Sequence, residues 1–255
     1  MHPDIGPILR AWPYEEEAFV LRVIAAADDG RPLLQIRLDL GLLQLEWEGR
    51  PDGERPHGYP SLLDYYRARA DAYRERHGWY EGFTLSPADC AELRRESLQY
   101  YHRRVCFLNL QEFGRAIADA DHNLAILDLL KAFAARREDW LSSEQYRAFI
   151  LSHRLQAEAL LCLQQGAPRE ALIVLDRGIR ALRALYAEQG ALDEFDESVE
   201  ATSLDDLRRR IVAQYGISHR ERLEILLDDA LRREDPEAAA ELRAQLRELD
   251  AGDFA

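Results

Sequence analysis

The sequence predicts a mainly α protein carrying a small β element near its start and a short helical hairpin at its end. Three observations lead there. The apolar period changes from two to helical near Ser61, serine-led helix starts recur after that point, and Leu, Ala, Arg and Glu dominate the composition. Those residue types favour helix over strand. The expected division is residues 1–58 for the β-hairpin segment and its loop, 59–216 for a helical domain, and 217–255 for the terminal hairpin and tail.

The β segment is AFVLRVIAAADDGRPLLQIRLDLGLLQLEW. DDGRP is a turn signal, so two strands are expected, Ala18–Ala26 and Leu33–Trp47, paired as a hairpin. In the second strand Leu34, Ile36, Leu38, Leu40 and Leu42 share one face, and the apolar parity then switches to Leu43, Leu45 and Trp47. A β-bulge beside Gly41 would produce that switch. A helix over Leu33–Trp47 is the rival reading. EGRPDGERPHGYP follows as a loop, with Pro51-Asp52-Gly53 fitting a turn that has proline in its second position. Arg50, Asp52 and His57 are its candidate binding residues, against the plainer reading of a connector.

From Ser61 onward helix starts are expected at SLLD (Ser61), SPAD (Ser86), SSEQ (Ser142) and SLDD (Ser203). In each, a hydroxyl can cap free N–H groups with an acidic or amide side chain a turn later. Pro87 and Pro168 suit first helical positions, and Gly78 and Gly166 suit helix ends. About eight helices result. Leu223, Leu227 and Ala230 then form one stripe, with Leu226 and Leu231 beside it, and Ala239, Leu242, Leu246 and Leu249 form another. Asp235-Pro236 between them supplies an N-cap and a first helical residue. A pair of such short helices cannot bury both stripes alone.

The bulk numbers narrow the function. An apolar share of 47% and a charged share of 31% describe an ordinary globular chain. A net charge of −14 argues against strong direct nucleic-acid binding, because phosphate contacts need a basic face. Three cysteines without a CxxC pair exclude a disulfide framework and a standard zinc site. No apolar run approaches a membrane span, and MHPDIGPILRAWPYEEE lacks the features of a secretion signal, so the cytoplasm is expected and no membrane partner.

Few residues suggest chemistry. Cys90, just inside the helix opened by Ser86, is a candidate for a thiol pKa lowered by the helix N-terminus; Cys106 and Cys162 lie on apolar faces. Asp119 and His122, one turn apart and near Asp121, are a candidate metal pair, although the paired Glu-x-x-His units of helical metal sites are missing. His102, Arg103 and Arg104 are candidates for an anion-binding groove, with ion pairs inside the helical stack as the alternative. No phosphate-binding loop, dinucleotide fingerprint, nucleophile elbow or HExxH run appears, so neither an enzyme nor a cofactor is expected.

Two resemblances add to this. HRRVCFLNLQEFGRAIADADHNLAIL and HRLQAEALLCLQQGAPREALIVLDRGIRAL each read as helix, turn, helix. Ala159, Gly166, Ala171 and Gly178 match the small-residue positions of tetratricopeptide repeats, which the second pair resembles. The first pair aligns Phe113, Ala116 and Ile117 but places Arg104 at a usual small site. Ala116 and Ala171 are about 55 residues apart, against a repeat period of about 34. At the end of the chain Glu234, Asp235, Glu237, Ala239, Ala240, Leu242, Arg243 and Leu246 resemble the UVR motif of the bacterial excision-nuclease B and C subunits. Pro236 stands where that family often has an aromatic residue. The resemblance implies an antiparallel hairpin that pairs with another such hairpin. The motif also occurs in regulators of Clp proteases, so it does not by itself imply DNA repair.

The expected function is therefore a bacterial protein–protein adaptor, with Leu223, Leu227, Leu242, Arg243 and Leu246 as partner-binding residues and a protein partner or a second copy as occupant. An accessory factor of excision repair is one alternative. A small-molecule enzyme with a cleft between the β segment and the helices is another.

Overall fold

In the computed structural model, which describes residues 4–252, the apolar run Leu33–Trp47 forms two strands rather than one bulged strand. Strand β1 is Leu21–Ala25, β2 is Pro32–Leu38 and β3 is Gly41–Glu46, in an antiparallel sheet of order β1-β2-β3. Leu38 pairs with Gly41, so Asp39 and Leu40 are a two-residue turn, and Leu40 is 88% exposed. This turn is the physical origin of the parity switch. Leu34 pairs with Leu45 and Ile36 with Leu43, so even positions of β2 share a face with odd positions of β3.

The sheet is held from both sides. Leu34, Ile36 and Leu45 are buried, and Trp47 meets Phe107 edge-on at 5.2 Å. On the other face Arg22 donates to Gln35 (2.8 Å), which donates to Gln44 (2.8 Å). Helix α1 (Gly6–Ala11) leads into Trp12, whose carbonyl accepts from Arg37 Nε (2.7 Å) and whose ring lies 4.1 Å beneath the Arg22 guanidinium.

The chain divides into two compact units at Arg147/Ala148. The first contains the sheet, α2 (Leu62–His77), α3 (Pro87–Asn109), α4 (Phe113–Phe133) and α5 (Arg137–Glu144). The second contains all but the first residue of α6 (Arg147–Gln164), then α7 (Pro168–Glu188), α8 (Val199–Tyr215), α9 (His219–Arg232) and α10 (Pro236–Gly252). Residues 1–3 and the last three positions of the expected C-terminal segment, 253–255, lie outside the described residues. From Ser61 onward nine α-helices are present among the described residues, against about eight expected; α5, of 8 residues, carries a weak sequence signal, as does α1, of 6 residues, which precedes that stretch.

Helix starts follow the serines only in part. Ser61 accepts from Asp64 N–H and Ser86 completes a capping box with Asp89, both as expected. Ser142 lies inside α5 and donates to the Asp139 carbonyl, and Ser203 lies inside α8. The hydroxyls that cap α8 and α9 are Ser198 and Ser218. Both misplacements have one cause: a serine followed by acids is common on solvent faces as well as at ends. Asp235 does cap α10, accepting from Ala238 N–H at 3.1 Å.

Helix ends follow one rule that the sequence only half announces. Gln111, Gly166, Gly190, Gly216 and Glu234 all take left-handed φ angles. The N–H after each bonds five residues back: Glu112 to Phe107, Ala167 to Cys162, Ala191 to Tyr186, Ile217 to Val212 and Asp235 to Ala230. This is the Schellman arrangement, and it reverses the chain after α3, α6, α7, α8 and α9. Two of the five positions are not glycine, and so give no signal.

Small residues let the helices approach. Ala159 and Ala171 are fully buried. A Cβ added at Gly178 would lie 2.5 Å from Leu155 Cδ1, so the Leu155 side chain of α6 packs directly onto Gly178 of α7 and would have to shift to admit an alanine there.

Candidate interaction site

The C-terminal hairpin is the site that the sequence nominates. Its α9 and α10 helices pack together and contribute Leu223, Leu226, Ala230, Ala239 and Leu242 to the core of the second unit, alongside Leu172, Leu175 and Leu182 of α7. Leu223 and Leu242 are 1% and 4% exposed, so these two leucines are occupied within the chain itself. Leu227 and Leu246 are half-buried at the edge of that core, as is Leu249. Arg243 is exposed and Leu231 is 49% exposed. Two ties hold the hairpin in place. Asp176 of α7 accepts from Arg208 (2.9 Å) and Arg222 (3.3 Å), and Arg169 donates to Glu221 (2.8 Å). Of the hairpin residues nominated by the sequence, those that keep exposed surface are Leu227 and Leu246, in part, and Leu231 and Arg243.

The first unit holds a buried polar centre built on Glu96, a residue that no sequence signal marked. Glu96 of α3 is fully buried and accepts four hydrogen bonds, from Arg50 Nε (2.9 Å), Leu62 N–H (2.8 Å), Leu63 N–H (3.1 Å) and His122 Nε2 (3.0 Å). It thus joins the loop, the N-terminus of α2, α3 and α4. Burial alone would raise its pKa, but the donors from His122 and Leu62 outweigh burial and hold it below the ordinary value. His122 also stacks on Tyr100 at 3.6 Å.

Of the neighbouring charges, Arg103 and Asp119 are engaged in hydrogen bonds and Arg104 is not. Arg103 grips Asp119 through two nitrogens (2.9 and 2.7 Å) and donates to the carbonyls of Glu46 (3.2 Å) and Gly49 (2.7 Å). Burial pushes the Asp119 carboxyl up against the pull of Arg103. Arg104 is fully buried, and none of its three nitrogens makes a hydrogen bond. Burial lowers its pKa to about 10.

These geometries revise several expectations. Asp119 and His122 turn to different partners, Arg103 and Glu96, rather than to one metal; Asp121 is exposed. Among the described residues no three His, Cys, Asp or Glu side chains converge as metal ligands. Arg103 and Arg104 are interior residues and do not line an open anion groove, and burial pushes the half-buried His102 imidazole down. Cys90 is fully buried, and desolvation raises its pKa, the reverse of the expected helix-terminus effect. Arg50 is buried and bridges Glu96 and Asp52, while His57 stacks on Tyr65 at 4.0 Å. The loop is closed by the Gly53 N–H bond to the Arg50 carbonyl (2.9 Å), and Asp52 and His57 stay exposed on it.

No protein-family model, no curated protein and no solved structure matches the chain.

Proposed function

We propose that the chain is a protein-interaction adaptor that docks through the outer flank of α9–α10 onto a helical hairpin of the same kind in its partner. The carrying observation is the split in the hairpin's apolar residues. Leu223 and Leu242 anchor it to its own unit, while Leu227 and Leu246 remain half-buried beside the exposed Leu231 and Arg243. A hairpin fixed to its own unit, with Leu227 and Leu246 part-exposed at the edge of the core and Leu231 exposed beside them, is a preformed surface, which lowers the ordering cost of association. The UVR-like residues Glu234–Leu246 coincide with this element, and the capped helical hairpins before it support a scaffold role. The ionisable groups inside the first unit support the same reading, because Glu96, Asp119, Arg50 and Arg103 spend their bonds on holding elements together.

The test is a pair of variants, L231D/R243E at exposed positions and L227D/L246D at half-buried ones, compared with the parent for self-association by sedimentation and for capture of native partners. Both should retain helical circular dichroism, and both should lose association. Unchanged association by the two variants would refute the proposal.

A further inference from the structure

Across the first unit, α2 and α4 face one another through residues spaced as single helical faces. Arg67, Ala70 and Asp71 lie on one side; Ala125, Asp128, Leu129, Ala132 and Phe133 lie on the other, with Tyr80 at one end. Between them is a hollow of about 330 Å³. Its cause is visible in the sequence: three of the residues are alanines, so the two helices leave space that larger side chains would fill. Tyr80 and Phe133, 5.5 Å apart, give it an aromatic end.

The charges on the rim are unequal in their commitments. Asp71 accepts from Tyr80 Oη (2.8 Å) and lies 3.5 Å from Arg74. Asp128 accepts from Arg147 at 2.8 Å. Arg67 has no ion pair or hydrogen bond among the described residues, and it is exposed. Ala132, Asp71 and Asp128 are exposed too, so the hollow is an open groove rather than an enclosed cavity. Small molecules are usually held in sites that cover most of their surface. An open groove along two helices suits a segment of a larger chain.

We infer that this groove is a second docking site, which takes a protein segment bearing one aliphatic or aromatic anchor and a carboxylate near it. The anchor enters the hollow over Leu129 and between the alanines, and the carboxylate pairs with Arg67. This deepens the adaptor reading and rests on it, but it concerns the first unit and not the C-terminal hairpin.

The test uses the full chain and a defined panel of blocked eight-residue peptides with Phe, Leu or Ala at the centre and Glu, Gln or Lys one helical turn later. Binding is read from the methyl NMR signals of Ala70, Ala125, Leu129 and Ala132. Phe- or Leu-centred peptides with Glu should shift these methyls, and Ala-centred peptides should not. Glu should be preferred over Lys by about two- to fivefold, the range for an exposed ion pair. Arg67→Glu should invert that preference, and Ala125→Trp should fill the groove and abolish the shifts while α-helical circular dichroism is kept. No shift of the groove methyls by any peptide at millimolar concentration would overturn the inference. So would equal binding of Glu and Lys peptides that Arg67→Glu leaves unaltered. Phenylpropionate shifting the same methyls as strongly as the best peptide would overturn the protein-segment assignment. Since L231D/R243E and L227D/L246D leave this groove untouched, failure here and failure of the hairpin proposal are separate results.

Discussion

Glu96 is the residue whose removal should cost the first unit most. It is fully buried, and its two oxygens accept from four donors at 2.8–3.1 Å. In Glu96→Ala the Arg50 guanidinium, 7% exposed, loses its buried partner, and the Leu62 and Leu63 N–H groups lose theirs. Breaking a buried ion pair from one side costs about 3–5 kcal/mol, and each orphaned buried donor about 1–3 kcal/mol. These terms overlap, because water entering the space left by the side chain re-satisfies some donors. The expected loss is therefore about 4 kcal/mol, near the ion-pair figure rather than the sum. Glu96→Gln keeps one acceptor oxygen and should cost less. Urea unfolding gives the global value, and amide hydrogen exchange at Leu62 and Leu63 reads the α2 terminus directly. A loss below about 1 kcal/mol for Glu96→Ala would refute the reasoning. The same residue sets a pH window. Its carboxyl is held below the ordinary value of 4.5, so its stabilising contribution is fully present above that pH and is lost as pH falls through the depressed folded value.

Further outcomes follow from other buried groups. Arg104→Met should leave stability unchanged or raise the urea midpoint, because the fully buried guanidinium has no hydrogen bond to lose; a loss above about 1 kcal/mol would contradict this. Gly178→Ala gains about 1 kcal/mol of helix propensity but drives a methyl against Leu155. It should destabilise the parent and become stabilising in a Leu155→Ala background, a change of sign readable in a double-mutant cycle. Leu242→Ala should cost about 2–5 kcal/mol by opening a cavity in the second unit, unlike changes at the exposed Leu231. In thiol titration the half-buried Cys162 should react first, since Cys90 is fully buried and burial pushes the Cys106 thiol up to about 12. Equal native-state rates for all three would count against the burial assignments.

What the sequence discloses and what it withholds divide along one physical line. Signals within a few residues are legible: the Ser61 and Ser86 caps, the Asp235-Pro236 start and the small residues Ala159, Ala171 and Gly178 are where local chemistry puts them. The Asp39-Leu40 turn escapes because Leu40 extends an apolar run and carries none of the usual turn chemistry. The reversals at Gln111 and Glu234 escape because neither is glycine. Glu96 escapes for a different reason. Its partners lie 46, 34, 33 and 26 residues away, and nothing near Glu96 marks it as more than a solvent-face acid. The hairpin stripe was legible as apolar, but only the fold separates the leucines that anchor it from those left on its flank.

The adaptor account is tested most directly by quantitative capture with the full chain and its L231D/R243E variant, side by side in the native cell extract. The account predicts that the parent enriches a partner carrying a similar helical hairpin, or a second copy of itself, and that the variant loses that enrichment while keeping its urea midpoint. Equal enrichment by the parent and the well-folded variant would contradict docking through this flank.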